Sequence, residues 1–161
     1  MTTLRMLLAL VATEEMELDQ MDVITAFLHG DLEEEIYMQQ SEGFVQKGKE
    51  HLVCKLLKSL YGLKQSLRQW YHKFNAFMRS LDYKQSNEDP CLYVKRQSNG
   101  QLIMLILYVD DMLIAGHFKK DTADLKTKLE SKFDMKDLGV ANHILGMCNT
   151  RDRKKRLLYL S

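Results

Sequence analysis

A chain of 161 residues with 45% apolar content is long enough to bury a core, and it reads as one globular domain. Its 23 basic and 22 acidic residues leave a net charge of +1, which excludes a global basic field for nucleic acid and confines any such contact to a local patch. Three cysteines, Cys54, Cys91 and Cys148, are odd in number and widely spaced, with no C-x-x-C pair. They read as reduced core residues of an intracellular protein, not as a disulfide or zinc framework. A single proline, Pro90, and the lack of repeats or low-complexity tracts leave no visible linker.

In chain order, Met6–Ala12 resembles the apolar core of a signal peptide, but it is short and is followed by Glu14-Glu15 instead of a cleavage site. It is also too short to span a membrane. Leu4, Leu7, Leu8 and Val11 recur at helical spacing behind Thr2-Thr3, which predicts a capped amphipathic helix ending near Thr13. A loose strand pattern through Met16, Leu18 and Met21 ends at Asp22 and turns into a short helical segment carrying Phe27. Asp22 reads either as a helix N-cap or as a carboxylate aimed from a strand end; Phe27 reads first as a core ring. Asp31–Glu35 is an acidic turn, and Ile36–Met38 and Leu52–Leu56 read as short strands around the Gly43–Gly48 loop.

The longest predicted helix lies between Lys64 and Leu81. Leu67, Trp70, Tyr71, Phe74, Phe77, Met78 and Leu81 fall on one face of it. Lys64, Arg68, Lys73 and Arg79 lie off that stripe, where they suit phosphates near the Gly62 turn or simply a solvated face. Leu92–Lys95 and Gln101–Tyr108 read as strands around Ser98-Asn-Gly100.

The run Leu105–Gly116 rises to Asp110-Asp111 and resumes as Met112-Leu-Ile-Ala, two buried strands joined by a tight turn. Adjacent carboxylates beside an apolar core repel one another and lack solvation, two costs that a divalent cation removes; the alternative is a surface β-turn. Beyond it, Asp121 is expected to cap a helix with an Ala123–Leu125–Leu129–Phe133 stripe, and Lys136–Gly139 to end that unit. Asn142–Asn149 and Leu157–Leu160 read as a final strand pair joined by the basic Arg151–Arg156. The order predicts an α+β fold, an antiparallel sheet with helices packed on one face, with Asp22 and Asp110-Asp111 converging at one sheet edge as in a polymerase palm.

Three stretches, Gln20–Met38, Lys58–Gln65 and Leu107–Gly116, together resemble the reverse transcriptase of copia-type LTR retrotransposons. The resemblance continues through Phe133–Gly139 and Ile144–Gly146. It implies a reverse-transcriptase-like palm with part of the fingers, from a Pol polyprotein that also carries integrase and RNase H. By that resemblance Asp22, Asp110 and Asp111 hold two magnesium ions (manganese being possible), with the Val23 carbonyl as a further ligand. Phe27 is implied as the steric gate under the incoming sugar, and Tyr61, Gly62 and Gln65 as neighbours of the nucleotide. Lys136 is implied as the acid for the leaving pyrophosphate and Leu145-Gly146 as the primer-gripping turn. The implied partners are an RNA or DNA template-primer and deoxynucleoside triphosphates, with no membrane, in a cytoplasmic virus-like particle.

The sequence departs from the family's pattern, which usually has Pro at Ser41 and Leu67 and Lys at Ile24. The basic fingers residues would precede Met1, and the thumb and RNase H would follow Ser161. Two function classes follow: a polymerase palm core that is inactive by itself, or a non-catalytic relic with at most residual nucleic-acid or metal binding.

Overall fold

The computed structural model describes residues 2–161. The elements run α1 (Thr2–Thr13), β1 (Glu17–Val23), a 3-10 turn (Ala26–His29), β2 (Tyr37–Gln39), β3 (Val53–Lys55), α2 (Ser66–Ser80), β4 (Lys84–Gln85) and β5 (Leu92–Arg96). They continue with β6 (Leu102–Tyr108), β7 (Asp111–Gly116), α3 (Lys119–Glu130), β8 (Met135–Val140), β9 (His143–Ile144), β10 (Met147–Asp152) and β11 (Leu157–Leu160). Among the described residues every pairing of these strands is antiparallel, and no helix is long and apolar enough to cross a membrane. The chain divides into two compact units, one running up to Thr25 and resuming over Asn75–Ser161, the other Ala26–Phe74.

The first unit is built on a six-stranded sheet in the order β4-β5-β6-β7-β1-β8. Alternation along the strands sends Leu18, Met104, Ile106, Leu113 and Ala115 to one face, where they pack with Leu4, Leu7, Leu8 and Val11 of α1 and with Ile144. The opposite face meets α3: Lys126 bridges Asp19 at 3.1 Å and Asp137 at 3.0 Å, and Thr122 sits under Gly116. Phe133 beyond α3 meets Phe77 edge-on, with ring centroids 5.3 Å apart. The expectation of helices on one face is therefore corrected. Both faces are covered, which is why β6 and β7 read as unbroken apolar runs instead of alternating ones.

Local readings change in four places. Thr2 and Thr3 lie inside α1, so they are not its cap, and Phe118, with no side-chain bond, stands at the N-cap of α3 in place of Asp121. Asp121 is in the first turn, where its charge still suits the helix dipole. In α2 the fully buried stripe advances by four residues through Trp70, Phe74 and Met78, so Ser66 lies on it and Leu67 is exposed. In α3 the buried row is Thr122, Leu125 and Leu129, which puts Ala123 a quarter-turn outside. Lys136–Gly139 belongs to a strand, β8, which pairs with β1 and shifts register between Gln20 and Met21. Gly139 supplies the positive φ of 71° at that irregularity, its N–H bonded to the Asp137 carboxylate at 2.8 Å.

The last strands form their own sheet, β11-β10-β9. The basic run between β10 and β11 is largely paired: Arg153 meets Glu17 at 2.7 Å and Arg156 meets Glu15 at 3.2 Å. Arg151 donates to the carbonyls of Val11 (2.8 Å) and Met16 (2.5 Å), satisfying the C-terminal end of α1. Among the described residues no disulfide joins the three cysteines; Cys54 and Cys148 are exposed and Cys91 is half-buried, so the expectation of core thiols is corrected.

Candidate active site

β1 and β7 are neighbours, and their register sets Asp22 opposite Asp111. The Val23 N–H donates to the carbonyl of Asp110 at 3.0 Å, tying the end of β1 to the turn between β6 and β7. On its other side β1 pairs with β8, placing Lys136 opposite Asp22. β1 and β7 are interior to the sheet and β8 is its edge strand, so the three aspartates lie at strand ends and not on the edge strand. Paired positions share a face, which puts Asp22, Asp111 and Lys136 on the side that carries α1.

The turn is strained. Tyr108 pairs with Asp111, leaving a two-residue connection whose first member, Val109, has φ of 59°. Hairpin turns of this length favour glycine there, and a β-branched residue in the left-handed region is an outlier. Strain retained beside two carboxylates is the pattern of a functional turn. Burial raises the Asp22 carboxyl above its ordinary value, and the charges of Asp110 and then Asp111 push it the same way, against the pull of Lys136. The three carboxylates thus act on one another although Asp22 stands 88 positions before Asp110.

Among the described residues no group of three or more His, Cys, Asp or Glu side chains stands close enough to hold a metal ion, so the carboxylates do not form a closed ligand set. Their chemistry nonetheless fits a hard divalent cation: oxygen donors only, mutually repelling, with one opposing lysine. The side chain of Val23 is buried.

The turn Leu145-Gly146 joins β9 to β10 with φ of 49° and 81°, both positive as a tight two-residue hairpin requires. Leu145 shares a small apolar recess with Gln20, Tyr108 and Asp111. Gln20 was not among the residues singled out by sequence, yet its amide reaches the Asp111 carboxylate at 3.4 Å. The signal was available, because Gln20 lies two residues before Asp22 on the same strand face.

Phe27, Tyr61, Gly62 and Gln65 belong to the second unit. There Phe27 and Tyr61 meet edge-on, with centroids 4.5 Å apart. Gly62 has φ of 95° in open space, and the Gln65 amide donates to Glu34 at 3.3 Å. Asp31 binds Lys58 and also Lys73, the latter at 2.9 Å, and these partners hold its carboxyl down at about 2. A depressed carboxyl contributes stability fully above its unfolded value of 3.8 and loses it as pH falls toward 2. Stability followed by circular dichroism is expected to show a component lost over that window in the wild type and absent in Asp31→Asn. A wild-type profile matching the variant would refute the assignment.

Strand ends that bring carboxylates together on an antiparallel α+β scaffold define a candidate phosphoryl-transfer site. The chain matches the family described as reverse transcriptase (RNA-dependent DNA polymerase) over residues 1–157, and it belongs to that family. It is 58% identical over 161 residues to the Retrovirus-related Pol polyprotein from transposon TNT 1-94 of Nicotiana tabacum, covering 100% of this chain and 12% of that protein. It is 34% identical over 146 residues to the Pol polyprotein from transposon RE1 of Arabidopsis thaliana, and 36% over 149 residues to that from transposon RE2, covering 91% of this chain and 10% of each protein. The chain thus spans about one-eighth or less of these relatives. No solved structure matches it.

Proposed function

We propose that the chain carries the catalytic carboxylates of an RNA-directed DNA polymerase palm and acts as one part of a Pol polyprotein. The observation that carries this reading is the β1–β7 register, which sets Asp22 opposite Asp111 with Asp110 tied to Val23. Asp22, Asp110 and Asp111, with the Val23 carbonyl, would hold two magnesium ions, or manganese in their place. Such ions supply activation of a primer 3′-hydroxyl for in-line attack and charge stabilisation on the departing pyrophosphate. Lys136, opposite Asp22, would give a proton from Nζ to the leaving pyrophosphate oxygen. Phe27 would exclude a 2′-hydroxyl beneath the sugar, selecting deoxynucleotides, while Tyr61, Gly62 and Gln65 border the nucleotide. Leu145-Gly146, beside Asp111, would seat the primer end. The partners are then an RNA or DNA template-primer, deoxynucleoside triphosphates and the integrase and RNase H parts of the polyprotein, inside a cytoplasmic particle.

A second reading, a non-catalytic relic, is favoured by the departures at Ile24, Ser41 and Leu67. All three positions are exposed, and Leu67 lies in the first turn of α2, where proline is readily accommodated, so these changes leave the core intact. Primer extension on an RNA template with magnesium separates the two. The 161 residues alone are expected not to extend, because holding the triphosphate and primer in line supplies much of the transition-state stabilisation. Exchanged for the matching segment of the Nicotiana tabacum polyprotein, they are expected to extend the primer, and Asp110→Asn in that exchange to abolish extension. A folded exchange protein that never extends would establish the relic.

A further inference from the structure

The corner His29-Gly30-Asp31 is used by none of the roles above, yet it ties several segments of the second unit together. The N–H of Gly30 donates to the carbonyl of Phe27 at 3.1 Å, and its own carbonyl accepts from the N–H of Ser59 at 3.1 Å. A Cβ on Gly30 would stand 3.0 Å from both Gln69 Cβ and Ser59 Oγ and 3.3 Å from the Phe27 carbonyl oxygen, so a side chain there would press these neighbours apart. One residue on, Asp31 bridges to Lys58 in the backbone and by side chain, and its second oxygen takes Lys73 from α2. The segment Lys58–Tyr61 is thereby fixed against the 3-10 turn that bears Phe27. Its far end is pinned by the Ser66 hydroxyl, which donates to the Leu60 carbonyl at 2.6 Å. Between the two segments so joined stands the edge-on pair of Phe27 and Tyr61. Tyr61 is 60% exposed, so packing alone does not hold its ring there.

We propose that Gly30 and Asp31 are positioning residues for sugar discrimination: they hold Tyr61 edge-on against Phe27, and Tyr61 fixes the plane of the Phe27 ring. A gate rejects a 2′-hydroxyl only if its ring cannot turn aside, and an edge-to-face partner restrains that rotation. Two lysines on one carboxylate restrain the supporting segment better than a single exposed ion pair does. The inference rests on the reading of Phe27 as the gate only for its consequence; the coupling within the unit is measurable without nucleotide.

The test is nuclear Overhauser spectroscopy on the full 161-residue chain. Wild type is expected to show cross-peaks between the Phe27 and Tyr61 rings. Asp31→Ala and Gly30→Ala are expected to lose them, while Lys58→Arg, which keeps the cation, retains them. Because Gly30→Ala risks misfolding, Lys58→Gln serves as a second surface variant and is expected to weaken the same cross-peaks. Cross-peaks unchanged in both Asp31→Ala and Lys58→Gln overturn the positioning role. In the exchanged polyprotein, Asp31→Ala is then expected to raise ribonucleotide incorporation relative to deoxynucleotide, with the deoxynucleotide kcat preserved. If Phe27→Ala leaves that ratio unchanged while the cross-peaks respond as stated, the gate reading fails and the positioning stands.

Discussion

Asp22→Asn is expected to abolish divalent-cation binding at the strand ends while making the cation-free protein more stable at neutral pH. The sign follows from the site's electrostatics. Burial and the charges of Asp110 and Asp111 raise the folded-state carboxyl of Asp22, so the native state resists its ionisation. A raised acid lowers stability progressively as pH climbs from the ordinary value of 3.8 through the folded value, and the loss persists above it. Asparagine keeps the shape and removes the charge. The melting temperature in chelator should therefore rise in the variant at pH 7 and converge with wild type in acid. Manganese should stabilise the wild type by mass action and leave the variant unmoved. In the exchanged polyprotein the same substitution should lower primer extension on the order of a thousandfold, the scale of several kcal/mol of transition-state charge stabilisation. A variant that melts below wild type in chelator, or that manganese stabilises equally, would contradict the account.

Leu105→Ala is expected to cost about 2–5 kcal/mol. Leu105 is fully buried in β6, between Tyr93 of β5 and Ile114 of β7, and both neighbours are fully buried as well. Strands on either side and the covered face hold the surrounding backbone, so the vacated space cannot collapse cheaply. For a chain of this size the melting temperature should fall by roughly 4–20 °C. Leu157→Ala, on an exposed leucine of β11, should change stability by no more than about 0.5 kcal/mol. Calorimetry of the two variants side by side checks the contrast, and a Leu105→Ala protein melting with wild type would refute this burial argument.

The elements themselves were legible because their signals are local. The α1 stripe and the long helix α2 follow from helical periodicity and the Leu105–Gly116 hairpin from its apolar runs, and each element forms where those signals place it. Errors fell where two patterns differ by one step. Leu67 and Ser66 compete for the α2 stripe, as do Ala123 and Thr122 for α3, and only the packing partner decides which is covered. β8 was unreadable because Lys136-Asp-Leu-Gly139 has little strand propensity; it is a strand because β1 offers it a ladder and Gly139 takes up the register shift.

Sequence by itself supplied the residue types of the candidate site, but the adjacent aspartates also read as a surface turn and Asp22 also as a helix N-cap, so it was the family resemblance that joined the three. Sequence also determined membership of the reverse transcriptase family, because three motifs in order carry the resemblance. What only the tertiary structure decided is which groups feel one another. Pairing across 89 positions sets Asp22 against Asp111, a β-bulge brings Lys136 opposite Asp22, and Gln20 reaches Asp111. The physical reason is that hydrogen bonds act over about 3 Å and charges in salt over about 10 Å, and those distances depend on which distant strands become neighbours in the sheet.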